Sequence, residues 1–145
     1  QGDEPYCNPN DIKKIIKYAK KNPNQIINGF TEIKDKKLFY SPSIPKVVFD
    51  NNLNLIFMSR SPIPSNKKKQ FIKAWRQVCI YSFSYQSLKN YTSVKKKTVL
   101  ESIEDLELNR FLELGYQVKM LKMSNKSIAV DTKEDLIKVR KFVKK

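Results

Sequence analysis

Short apolar runs alternate along this chain with helical patterns that carry start and stop signals, and this alternation restricts the fold more than any other feature. Ile12, Ile15, Ile16 and Ala19 keep helical spacing behind the start signal Asn8-Pro9-Asn10-Asp11, and Asn22-Pro23-Asn24 stops that helix. Residues 25–33 read as a strand and 34–45 as a polar, Pro-containing connection. Lys46-Val47-Val48-Phe49-Asp50 and Leu53-Asn54-Leu55-Ile56-Phe57-Met58 predict a hairpin turning at Asn51-Asn52, because Asn tolerates positive φ. After a loop rich in Pro and Lys over 59–69, the spacing predicts a strand over 74–83, a short helix over 87–91 and a helix over 102–114 closed by Gly115. Strands follow over 117–123 and 128–130. Thr132-Lys133-Glu134-Asp135 then forms a capping-box pattern opening a last helix with apolar positions Leu136, Val139, Phe142 and Val143. The interleaving predicts a layered α/β fold with an inserted hairpin. With no internal repeat or low-complexity linker, residues 1–145 read as one domain.

Composition narrows the chemistry. There is no histidine, which excludes His-based triads, His general bases and His-containing zinc sites. Cys7 and Cys79 are too few for a disulfide framework or a closed zinc site and fit reduced thiols of a cytoplasmic protein. No apolar run approaches the ~20 residues needed to span a bilayer, so the expectation is no membrane insertion. The opening residues also lack the basic start and apolar stretch of a signal peptide. The formal charge of +15 invites a polyanion or RNA-binding reading. Of 29 basic residues, however, only Arg60, Arg76, Arg110 and Arg140 are arginines, the side chain that base readout and phosphate clamps favour. The lysines are spread along the chain, and Lys, Asn and Ile are what an AT-rich genome encodes by default. The charge therefore reads first as a solvated surface and argues against nucleic acid, while still suiting anionic substrates.

Three places hold polar residues that packing explains poorly. Asp3 lies in a Gly-Asp-Glu-Pro turn before a helix, and Asp131 ends the strand expected over 128–130, at the carboxyl end where ligands sit in open α/β sheets. Either the two are ordinary turn and cap residues, or they meet and bind Mg²⁺ on a nucleoside triphosphate. In the helix expected over 102–114, Ile103, Leu106, Phe111 and Leu114 share one arc at ~100° per residue, with Glu107 near its middle and Arg110 also within it. Glu107 either pairs internally with Arg110 at i, i+3 or faces a pocket and accepts hydrogen bonds from sugar hydroxyls. Arg60, in Ser59-Arg60-Ser61-Pro62, is a surface residue at a loop entry or a bidentate partner for a carboxylate. Tyr81 reads as a core tyrosine or a ligand contact.

Gln1-Gly2-Asp3-Glu4-Pro5, Pro45-Lys46-Val47-Val48, Ser59-Arg60-Ser61-Pro62-Ile63-Pro64, Ile80-Tyr81, Leu100-Glu101 with Glu104 and Glu107, and Val130-Asp131-Thr132-Lys133-Glu134-Asp135-Leu136 occur in that order. Together they resemble the 3-deoxy-manno-octulosonate (Kdo) cytidylyltransferases, or CMP-Kdo synthetases, from Gln1 to near the carboxyl end. The resemblance implies a three-layer, Rossmann-like nucleotidyltransferase sheet with an inserted β-hairpin arm over 46–69 through which such enzymes form homodimers. It implies CTP and an acidic sugar as substrates, in the synthesis of lipopolysaccharide or capsule. Mg²⁺ would be held by Asp3 and Asp131, with Gln1 close to the reacting groups. Arg60, Gln77, Tyr81, Glu104 and Glu107 would line the sugar pocket.

The chain departs from the pattern at three places. The strand usually written His-x-Gly-Ile-Tyr reads Gln77-Val78-Cys79-Ile80-Tyr81, and Leu108 replaces the Gln that usually follows the pocket Glu. Both changes bear on which sugar is used, with a neuraminate-like sugar or 8-amino-Kdo as alternatives to Kdo. The family's amino-terminal phosphate-binding segment has no counterpart, and none of the three glycines lies in a phosphate-cradling cluster. The expectation is a domain lacking its amino-terminal part, inactive in isolation and exposing a raw sheet edge.

Overall fold

A computed structural model describes residues 7–125 together with Val130, Lys133, Leu136, Ile137, Val139 and Arg140. Helix α1 (Pro9–Lys21) starts where its sequence signal lies. The Asn8 side chain accepts from the Asn10 N–H at 3.0 Å, Pro9 occupies the first turn, and Lys20 and Lys21 meet the negative end of the helix. The buried positions of α1 are Asp11 and Ile15, whereas Ile12 and Ile16 are 40% and 49% exposed. The apolar face read from spacing is therefore only half used.

Strand β1 (Ile26–Glu32) follows, and the expected polar connection contains a short helix, α2 (Lys36–Tyr40), capped by the Asp35 side chain. The hairpin β2 (Lys46–Phe49) and β3 (Leu55–Ser59) leads to β4 (Trp75–Ser82), α3 (Tyr85–Ser93), α4 (Val99–Glu104), α5 (Glu107–Glu113) and β5 (Val118–Lys122). The helix expected over 102–114 is thus two helices that meet at Asp105, which takes a left-handed φ of 52°. Asp tolerates that conformation better than most residues, and no Pro or Gly marks the break. Lys133, Leu136, Ile137, Val139 and Arg140 are helical in the expected last helix, and Val139 is buried. The strand expected at 128–130 and the box Thr132–Asp135 lie largely outside the described residues.

Among the described residues five strands form one mixed sheet in the order β3-β2-β4-β1-β5. Only β1 and β5 run parallel; β1–β4, β2–β3 and β2–β4 are antiparallel. The inserted hairpin extends the sheet through Lys46↔Arg76 and Val47↔Trp75. Its turn is held by Asp50, whose carboxylate accepts from the backbone of Asn52 and Asn54 at 2.8 Å each, and the positive φ falls on Leu53 at 61°, not on Asn51 or Asn52.

Apolar residues cover both faces of the sheet. On one face Ile26, Phe30, Val47, Leu55, Met58, Leu106, Leu108, Phe111, Val118 and Met120 form the main core with α5. On the other, Ile27, Val78, Leu121 and Met123 pack with Ile15 of α1. The alternation of Ile26 and Ile27 between the two clusters follows from the period of two in a strand. A smaller cluster of Ile33, Phe39 and Ala74 seals one end. Neither outer strand is bare: Leu53 O accepts from Met120 N of β5 at 2.8 Å, and Asn109 Nδ2 donates to Met58 O of β3 at 3.1 Å. The raw edge expected from the sequence is to that extent covered. Among the described residues no helix is long and apolar enough to cross a membrane.

Candidate functional site

A cavity of about 310 Å³ opens where β4 ends, bounded by α3 and α5 and lined by Tyr81, Phe83, Leu88, Tyr91, Glu107, Leu108 and Phe111. That size falls at the lower end of small-ligand pockets. Tyr81 and Phe83, two residues apart, stack with ring centroids 5.7 Å apart, and Phe83 stacks on Phe111 at 5.2 Å. Tyr91 stacks on Phe111 from α3 at 4.8 Å, so strand and helices share one aromatic wall.

Two buried amides on neighbouring strands orient the polar side of this wall. Gln77 Nε2 donates to the Tyr81 hydroxyl at 3.0 Å and to Asn28 Oδ1 at 3.3 Å. Asn28 Nδ2 in turn donates to Val78 O and Ile80 O, both at 3.1 Å, across the register shift between Asn28 and Gly29. At this irregularity Asn28 binds two β4 carbonyls through its side chain. Gln77 and Tyr81 are thereby bonded to each other, with Tyr81 in the cavity lining and Gln77 behind it.

Glu107 opens α5 and is exposed at the cavity rim. Its expected pairing with Arg110 does not occur. Arg110 Nε instead contacts a carboxylate oxygen of the buried Glu101 on α4, and its guanidinium lies 4.0 Å from the Tyr91 ring centroid. The Tyr91 hydroxyl donates to the other Glu101 oxygen at 2.9 Å. Burial first, and then the bond to Glu101, push the Tyr91 phenol up to about 12, while Glu101 holds the Arg110 guanidinium above its ordinary range. The helical arc that singled out Glu107 dissolves because of the break at Asp105. Ile103 is 74% and Leu114 37% exposed, yet Glu107 still reaches the pocket because it begins the second helix.

Arg60 and Glu104 meet each other, away from the lining of this cavity. Glu104 accepts from Ser59 Oγ at 2.6 Å and from Arg60 N at 2.9 Å. The Arg60 guanidinium donates to the carbonyls of Glu104 at 2.8 Å, Pro42 at 3.2 Å and Asp105 at 3.3 Å. Beneath them Lys46 is buried, donating to Ser41 O at 2.8 Å and to Arg60 O. Burial brings its ammonium down to about 8, with Glu104 opposing that fall. This polar lock joins residues 41–46, the end of β3 and the α4–α5 junction.

Gln1, Asp3 and Asp131 lie outside the described residues. Among the described residues no group of three or more acidic, His or Cys side chains could hold a metal. Two carboxylates completed by water and phosphate oxygens would nevertheless have the hard-oxygen chemistry that Mg²⁺ prefers. Sequence reasoning missed Asn28, Phe83 and Tyr91. Phe83 was within reach, because i and i+2 share a strand face with Tyr81; Asn28 and Tyr91 act through long-range contacts that leave no local signal.

Residues 1–132 match the cytidylyltransferase family. Over 94% of its length the chain is 36% identical to a 3-deoxy-manno-octulosonate cytidylyltransferase of Thermodesulfovibrio yellowstonii, covering 55% of that protein. It is 30% identical to an 8-amino-3,8-dideoxy-manno-octulosonate cytidylyltransferase of Shewanella halifaxensis, over 94% of this chain and 56% of that one. The fold superposes on CMP:2-keto-3-deoxy-manno-octonic acid synthetase complexed with CTP with a TM-score of 0.86 and 27% identity, over 99% of this chain and 59% of that one. The chain thus spans little more than half the length of the relatives it matches. The layered α/β sheet is the Rossmann-like arrangement of nucleotidyltransferases, as the resemblance implied. The match over 1–132, the ordered motifs and the superposition agree: this chain belongs to the cytidylyltransferase family.

Proposed function

We propose that this chain supplies the sugar-recognising part of an enzyme that transfers CMP from CTP to 3-deoxy-manno-octulosonate and releases pyrophosphate. The observation that carries the reading is the aromatic cavity whose Tyr81 hydroxyl is oriented by Gln77 and whose rim bears the Glu107 carboxylate. Aromatic faces suit the C–H surface of a sugar, while a fixed phenol and a carboxylate take its hydroxyls. In the reaction the anomeric hydroxyl oxygen attacks the α-phosphorus of CTP in line. The bond from that phosphorus to the oxygen bridging to the β-phosphorus breaks, and the hydroxyl proton is lost. Holding the sugar so that this hydroxyl meets the phosphorus is the contribution of the pocket residues.

Asp3 and Asp131 would hold Mg²⁺, with Gln1 beside the reacting groups. Held by these residues, Mg²⁺ would supply charge screening for the phosphates and would favour loss of the hydroxyl proton. Arg60 and Glu104 would act from the adjacent lock by shaping the 59–64 loop. The 46–69 region would form the homodimer contact. The reaction would run in the cytoplasm and feed lipopolysaccharide or capsule assembly.

Glu107 also favours a second reading, an amino derivative of the same sugar. A carboxylate beside aromatic faces suits an ammonium as well as a hydroxyl, and relatives from Shewanella bear the 8-amino name. One experiment tests both readings: pyrophosphate release by the natural gene product with CTP and each sugar in turn. Turnover of Kdo is expected. Exclusive turnover of 8-amino-Kdo would replace the lead substrate, and no turnover with any acidic sugar would reject the reading.

A further inference from the structure

Strand β1 lies inside the sheet, between β4 and β5, and carries the fully buried Asn28. Asn is disfavoured in strands, and a buried amide costs free energy unless its donors and its acceptor find partners. Here they do. Asn28 Nδ2 donates to Val78 O and Ile80 O, at 3.1 Å each; carbonyl oxygens only accept, so the amide has one possible orientation. Its Oδ1 is thereby turned towards Gln77. Because that oxygen also only accepts, Gln77 must present Nε2, which donates to Asn28 Oδ1 at 3.3 Å and to the Tyr81 hydroxyl oxygen at 3.0 Å. The backbone of Gln77 is held separately, its N–H donating to Pro45 O at 3.0 Å.

The β4 carbonyls thus determine, through two amides, what the Tyr81 oxygen meets on its Gln77 side: a donor, with the phenol proton turned away from Gln77. A side chain of donors alone, Lys or Arg, could bind the same carbonyls, and an aliphatic one would suit the strand. Neither would supply the acceptor that orients Gln77. We propose that Asn28 is a positioning residue of the sugar site, acting through Gln77 to fix the Tyr81 hydroxyl in the cavity wall. Asn28 lies behind that wall and is not among the lining residues. The proposal rests on the reading of this cavity as a sugar site.

Two measurements on the natural gene product separate the proposal from that reading. The first needs no substrate: the ¹³C shift of tyrosine Cζ, which responds to hydrogen bonding at the phenol oxygen, with the Tyr81 signal assigned through Tyr81→Phe. Asn28→Val removes the whole amide. Asn28→Thr keeps a hydroxyl that can donate to one β4 carbonyl but, a bond shorter, stops short of Gln77. Both should move the Tyr81 signal by more than its line width, and an unmoved signal in a folded variant overturns the proposal. The second measurement is kinetic. Asn28→Val should raise KM for the acidic sugar about ten-fold and Asn28→Thr several-fold, with KM for CTP within about two-fold. In a Tyr81→Phe background either change should add less than about two-fold, because the group it positions is gone. Equal factors with and without the Tyr81 hydroxyl, or a matching rise in KM for CTP, would overturn the proposal. Failure of both variants to fold overturns it as well, since Asn28 would then serve β4 rather than the phenol. A moved signal with an unchanged sugar KM in Tyr81→Phe would instead reject the sugar-site reading and leave Asn28 as the residue that positions the phenol.

Discussion

Lys46 is the residue whose setting has the clearest consequence in solution. Fully buried, it keeps two carbonyls satisfied yet holds its proton less tightly than the ordinary lysine value of 10.5, at about 8. Below pH 8 both the folded and the unfolded chain carry this proton, and the burial penalty acts in full. Between about 8 and 10.5 the folded state sheds it first, the unfolded state binds more protons, and stability rises with pH by up to roughly 3 kcal/mol from this group. Urea unfolding at pH 7.5 and at pH 10 checks this: Lys46→Met should lose most of the rise, whereas a rise of equal size in the variant would assign it to the other lysines. Glu101 is the complementary case. Its removal by Glu101→Ala strands the buried Arg110 guanidinium and should cost about 3–5 kcal/mol in the same measurement. These charged residues show where sequence reading stops. The apolar spacing around Glu107 suggested an Arg110 partner three residues away, but the true partner lies on another helix. Asp11 reads as a helix-start acid, yet its carboxylate accepts from the Ser124 backbone at 3.0 Å and from its hydroxyl at 2.6 Å, 113 positions along the chain.

Elements were legible where a local pattern decides them. The start of α1, the strands β1, β4 and β5 and the paired β2–β3 hairpin lie within a few residues of their expected positions, because each rests on a cap or a β-rich apolar run. The break between α4 and α5 was not legible, since its cause is remote. Arg60 takes the Glu104 and Asp105 carbonyls, and the Glu104 carboxylate takes Ser59 Oγ and Arg60 N, so the chain turns at Asp105 to reach β3. Glu104→Ala should therefore cost about 2–3 kcal/mol by loosening two elements at once, and it should increase amide exchange in both α4 and the end of β3. A change confined to α4 would contradict the lock. At the β1–β4 irregularity, a Cβ added to Gly29 would lie 2.9 Å from Met123 Cγ and 3.2 Å from the Val78 carbonyl oxygen. Gly29→Ala is expected to cost about 1–3 kcal/mol in thermal or urea unfolding, because the backbone of β4 cannot yield as a flexible side chain can.

On the scale of the molecule, the sheet brings the end of β4 against α3 and α5, and there the aromatic wall, the tethered phenol and the rim carboxylate converge. The motifs named this region from the sequence; its walls came from packing. The account predicts a separation of roles in the natural gene product. Glu107→Gln should raise KM for the acidic sugar by about ten-fold or more, because a neutral amide accepts fewer and weaker hydrogen bonds, while KM for CTP stays within about two-fold. Those two constants, read from pyrophosphate release with one substrate varied at a time, test the central claim directly. An unchanged sugar KM, or a loss shared equally by CTP, would contradict a sugar site in this cavity.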